Sequence, residues 1–175
     1  MFDAPLHPKL VHLPLGLAMF LPLLFAMLLV AIRRAWLPAK AWWLAVVGAA
    51  LLGLGTLAAT RSGEADAEWV EPVVGEALVE AHEQAGEQLL VAAAVTLLLA
   101  AMAAFARRRQ GAGRLQALAT LGAIVTLVMA IRAGSLGGQL VYEHGAASAF
   151  SATPRAGPDT SSRAESGTAR DEEGD

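Results

Sequence analysis

Residues 10–32, LVHLPLGLAMFLPLLFAMLLVAI, run for 23 positions without a formal charge. At 1.5 Å per residue, a hydrocarbon core of about 30 Å needs about 20 residues. The stretch is therefore long enough to cross a membrane as one helix. It does not read as a cleaved signal peptide: no basic segment precedes it, its apolar run is too long, and Arg33 and Arg34 follow it. Three more uncharged runs lie downstream, at 41–60, 88–106 and 115–131, and apolar character resumes beyond Arg132 as far as Tyr142. The sequence thus predicts an all-α integral membrane protein, a bundle of four transmembrane helices at approximately 9–33, 40–61, 84–106 and 115–136. Glycines between 134 and 138 are expected to end the last helix.

Composition agrees. Only 17% of residues are charged and 55% are apolar, whereas soluble domains carry about a quarter charged residues. One bundle domain over 1–145 accounts for the apolar part. Residues 146–175 are rich in Ser, Gly, Ala and charge, with Pro154 and Pro158. Such a composition buries too little apolar surface to offset ordering entropy, so this segment is expected to be a disordered polar tail. There is no cysteine, which excludes disulfides, thiolate ligands and cysteine nucleophiles.

The connecting segments set a direction. Residues 33–40 carry Arg33, Arg34 and Lys40, and residues 107–114 carry Arg107, Arg108, Arg109 and Arg114, with no acid in either. The segment 62–83 is the reverse: from Ser62 to Glu87 there are eight acids and no Lys or Arg. Short basic loops stay in the cytoplasm. Both termini and an acidic loop at 62–83 are therefore expected outside, on the periplasmic or extracellular face of a bacterial inner membrane. Beside spans, the basic clusters are topology signals and anionic-lipid contacts, not a nucleic-acid surface.

Small residues four apart, Ala49/Gly53 and Gly55/Ala59, suit close helix packing. Pro14 and Pro22 each remove a backbone donor, so a bend is expected in the first span.

All four histidines fall on the expected outer side. His7 and His12 stand at the start of the first span, His82 at the start of the third, and His144 after the fourth. His7 precedes Pro8 and so favours extended backbone. Neutral imidazole ligates metal ions and heme iron, and helix bundles commonly house such groups. Three readings stay open. The histidines can be interfacial hydrogen-bonding groups. They can hold a b-type heme with axial ligands drawn from His12, His82 and His144, and with Arg61 and Arg132 available to propionates. Or His7, His12, His82 and His144 can hold a divalent or transition metal ion with help from Glu83 and Glu143. A protein carboxylate is the alternative partner for Arg132, which interrupts an apolar run.

The run His7-Pro8-Lys9-Leu10-Val11-His12-Leu13-Pro14-Leu15-Gly16-Leu17 resembles the opening of a bacterial membrane-protein family, domain of unknown function 2231 (DUF2231). The run Gly137-Gly138-Gln139-Leu140-Val141-Tyr142-Glu143-His144-Gly145 resembles its closing motif, and Ser62-Gly63 with His82 resembles its middle. The likeness spans roughly residues 6–145. It implies a plan similar to small four-helix heme-binding cytochromes, in a family whose members occur alone or joined to redox modules. The histidine-bearing motifs map onto His7, His12, His82 and His144. Leu13 stands where an aromatic residue is more usual, a change that bears on packing and not on ligation.

Three functions compete. The first is an electron-transfer component between the quinone pool and a periplasmic cytochrome-type acceptor, its acidic outer segment docking a basic partner. The second is a metal-binding module. Against transport, the second and third spans have no ionisable residue at mid-membrane. The third is a structural or assembly subunit. Enzyme chemistry finds little support, since no phosphate-binding loop or nucleophile motif is present.

Overall fold

A computed structural model of the chain describes residues 6–150. Among these residues the regular structure is all helical. A short helix α1 (His7–Leu10) leads into α2 (His12–Arg33). A 3₁₀ turn (Ala39–Trp42) leads into α3 (Trp43–Val74), which is followed by α4 (Glu76–Phe105), α5 (Ala112–Tyr142) and a second 3₁₀ turn (Ala146–Phe150). The four long helices are each long and apolar enough to cross a membrane. α2 packs on α3 and α5, and α4 packs on the same two helices, so consecutive helices are neighbours around an up-and-down bundle.

The break between α1 and α2 has a local cause. Pro14 has no N–H to give the Leu10 carbonyl, while Val11 N–H still bonds to His7 and Leu15 N–H to Val11. His7 is not extended before Pro8, as expected, but is the first residue of α1.

The largest departure concerns the acidic segment. Expected as a loop over 62–83, it is helical except at Gly75. The charges that disqualify it as a membrane span do not disqualify it as a helix, because Ala and Glu are strong helix formers. Pro72 weakens the last turn of α3. Gly75, at φ 93°, then reverses the chain in a conformation that favours glycine. With 32 and 30 residues, α3 and α4 are about 48 and 45 Å long. The acidic hairpin therefore projects about 15 Å beyond a hydrocarbon core of about 30 Å.

α5 likewise continues past the glycines at 134, 137 and 138 to Tyr142 instead of ending near 136; Gly134 faces Leu15 and Gly137 faces His82, side chains of neighbouring helices. The helix ends before Gly145, at φ 72°. The expected tail begins with an ordered 3₁₀ turn, Ala146–Phe150, packed on α3 and α5; residues 151–175 lie outside the described residues.

The core differs along the bundle axis. At the basic end, Trp42 is wholly buried, donates its indole N–H to the Ala100 carbonyl at 3.0 Å, and meets Phe25 edge-on at 5.5 Å. Arg33 of α2 donates to the Gly113 carbonyl at 3.1 Å, tying the two basic connections together. In mid-bundle, alanines from all four helices close the contact, and Thr96 and Thr126 pair their hydroxyls at 3.0 Å. Close packing is found at Gly48, against Leu21, and at Gly55, against Pro14 and Leu13, but not at Gly53, which faces open space.

Candidate functional site

At the acidic end the core opens. A cavity of about 750 Å³ lies between α1, α2, α3, α4 and α5, with the final 3₁₀ turn along one side. Cofactor and ligand sites commonly fall between about 300 and 1,000 Å³. The wall is chiefly apolar: Val11, Leu15, Val79, Leu89, Leu140 and Phe150 all line it. Small residues create the room. Ala59, Gly63 and Ala67 follow one another at four-residue spacing on α3, and Gly86 of α4 and Gly137 of α5 also line the cavity.

Two histidines meet in this wall. His7 and His82 stand edge to face, with ring centroids 5.9 Å apart and planes at 82°. Each ring rests on a glycine of another helix. A Cβ on Gly63 would lie 3.1 Å from His7 Cε1, and a Cβ on Gly137 would lie 2.9 Å from His82 Cε1. These glycines are needed because any larger residue meets an imidazole.

His7 is held from three directions. Its Nδ1 lies 2.8 Å from the Ala59 carbonyl and 3.3 Å from the Ser62 hydroxyl, and its backbone N–H faces Asp66 Oδ2 at 3.4 Å. A carbonyl can only accept, so Nδ1 carries the proton and Nε2 presents its lone pair. Metal-binding imidazoles are commonly oriented by such a bond. On His82, Nδ1 is buried and has no hydrogen-bond partner among the described residues. A buried polar atom in that state costs free energy unless something satisfies it.

The other expected residues divide. His12 is exposed at its position on α2 yet lines the cavity, and Glu83 lines it too, with Glu64, Asp66 and Glu87. His144 and Glu143 are exposed and do not line it. Neither do Arg61 and Arg132; Arg132 donates instead to Gln88 Oε1 at 2.8 Å. The structure thus joins His82 to His7, where the sequence reading drew axial ligands from His12, His82 and His144. Among the described residues, no group of three or more His, Asp or Glu side chains is arranged to hold a metal ion. Sequence reasoning also missed Gly63, Gly137, Ala59 and Ser62 as parts of the site. The four-residue spacing of Ala59, Gly63 and Ala67 into the acidic segment was the available signal.

A family model described as predicted membrane protein (DUF2231) matches residues 3–149. The chain belongs to that family. No curated protein and no solved structure matches it. In this DUF2231 chain the matched region takes in every cavity-lining residue but Phe150, both histidines of the pair and the glycines beneath them.

Proposed function

We propose that this membrane protein binds heme b between His7 and His82 and serves in electron transfer. The observation that carries the reading is the imidazole pair in the cavity wall. The two rings stand 5.9 Å apart between centroids in one cavity wall, and imidazole is a common ligand of heme iron. A bare zinc ion ordinarily takes four ligands, whereas heme brings its own ring nitrogens and asks the protein for two. Two histidines without a third protein ligand therefore fit heme better than a bare ion. Bound there, heme would supply one-electron chemistry. His7 and His82 would be its ligands, the Ala59 carbonyl and Ser62 would fix the His7 ring, and the apolar wall would exclude water. The acidic hairpin complements a basic partner such as a c-type cytochrome. The basic turns support a cytoplasmic position for the opposite end, in a bacterial inner membrane.

One observation favours a second reading. Among the described residues no Lys or Arg lines the cavity to pair with a propionate, and the carboxylates that line it, Glu64, Asp66, Glu83 and Glu87, repel one. A neutral ring with two hydroxyls, as in a quinol, meets no such repulsion and would hydrogen-bond to the same two imidazoles.

The test is the optical spectrum of detergent-purified protein, oxidised and then dithionite-reduced, with pigments and quinones extracted from the same sample. The heme reading expects a Soret band and sharp reduced α and β bands, abolished by His7→Ala and by His82→Ala. A flat visible spectrum from heme-supplied cells overturns it, and co-purified quinone then supports the second reading.

A further inference from the structure

A second, shallower depression of about 380 Å³ lies on the outside of the bundle, between α4 and α5. It is lined by Glu87, Gln88, Val91, Ala92, Val125 and Met129. Its arrangement along the membrane normal is ordered. Gln88 and Glu87 stand nearest the acidic end of α4, and Val91 and Ala92 lie one turn deeper. On α5, Met129 and Val125 lie one and two turns deeper than Arg132. Polar groups therefore sit at one end, and an apolar furrow runs from them toward the bilayer centre.

Arg132 is exposed on this face. Its Nη1 bonds to the neutral Gln88 Oε1 at 2.8 Å, and among the described residues no carboxylate forms an ion pair with it. A guanidinium has five N–H donors. Beside an apolar run its remaining donors need an anion, since an uncompensated charge at membrane depth is costly. An acyl chain meets the furrow below and a phosphate meets the guanidinium above, where Arg forms paired hydrogen bonds. Glu87, on the turn of Gln88, adds a negative group beside that phosphate position and so suits an ammonium.

We infer that the α4–α5 furrow seats one phospholipid with an amine headgroup, its phosphate on Arg132, its ammonium facing Glu87 and an acyl chain along Val91, Ala92, Val125 and Met129. This site shares only Glu87 with the lining of the histidine cavity and does not depend on what that cavity binds.

The experiment uses the full chain, delipidated in detergent and titrated with dioleoyl phosphatidylethanolamine, with retained lipid counted by native mass spectrometry. Wild type should retain one lipid at a concentration about tenfold lower than Arg132→Gln, the ratio expected for losing a charge-assisted hydrogen bond. Dioleoylglycerol, with the same chains and no phosphate, should be retained no better by wild type than by the variant. Ala92→Leu fills the furrow, keeps Arg132 and should weaken retention as well. Equal retention by wild type and Arg132→Gln overturns the proposal. So does a preference for phosphatidylglycerol, because Glu87 disfavours a net anion. Retention unchanged in Ala92→Leu overturns the furrow as the chain's seat. An Arg132-dependent dimer without retained lipid overturns it in favour of a carboxylate from a second copy.

Discussion

The two ends of the bundle use the same four helices and much the same small residues, yet one end is filled and the other is open. At the basic end, Ala45, Ala100 and Ala104 are buried in a core that also holds Trp42, Phe25 and Leu28. At the acidic end, Ala59, Gly63, Gly86 and Gly137 face a cavity of about 750 Å³, and two imidazoles rest on Gly63 and Gly137. A small residue makes contact when something large sits opposite it and makes space when nothing does. The filled end is closed by large side chains, and the open end leaves room for a ligand.

The filled end should be the costlier to break. Trp42→Ala removes a wholly buried indole and its bond to Ala100, and should destabilise the bundle by about 3 kcal/mol or more, measured as thermal unfolding in detergent. An unchanged transition would mean that the filled end does not hold the helices together.

At the open end, Gly137→Ala forces the His82 ring to shift. Second-layer changes at metal ligands typically cost about 10- to 100-fold in affinity, so heme titration followed at the Soret band should show at least about tenfold weaker binding with the fold intact. Gly53→Ala adds the same methyl where it meets nothing. That variant should bind as wild type does and gain about 1 kcal/mol from helix propensity. If the two variants behave alike, the glycine beneath His82 is not a seat.

A smaller effect is expected outside both ends. Ala35 holds φ 57° just after α2, where its Cβ is strained by about 1 kcal/mol. Ala35→Gly should raise stability by about that amount in the same unfolding assay. The smallest effect belongs to His144, exposed and away from the cavity. His144→Ala should leave ligand titration unchanged, and a loss of binding would place a third histidine in the site.

The four spans were legible because bilayer thickness imposes a length that uncharged runs reveal directly. The acidic segment was misread because charge excludes a residue from lipid without excluding it from a helix; the alternation of Ala with Glu and Asp at 64–68 already favoured one. The histidine cluster was legible as a region and not as a pair. His7 and His82 meet only because α1, α3, α4 and α5 have particular rotations about their axes, and a single sequence fixes those rotations poorly. The bond from His7 to a main-chain carbonyl leaves no trace in residue type, since every residue has one. Gly137 was read as a helix terminator, when its lack of a side chain serves an imidazole from another helix.

The site's two imidazoles come from α1 and α4, 75 positions apart, and the glycines under them from α3 and α5. No single two-helix hairpin contains the pair, and its seats draw on α3 and α5 as well. A ligand held by this pair would draw on all of these helices at once. Any molecule that bridges His7 and His82 would act as an inspector of biogenesis, protecting finished copies and leaving misassembled ones for proteolysis.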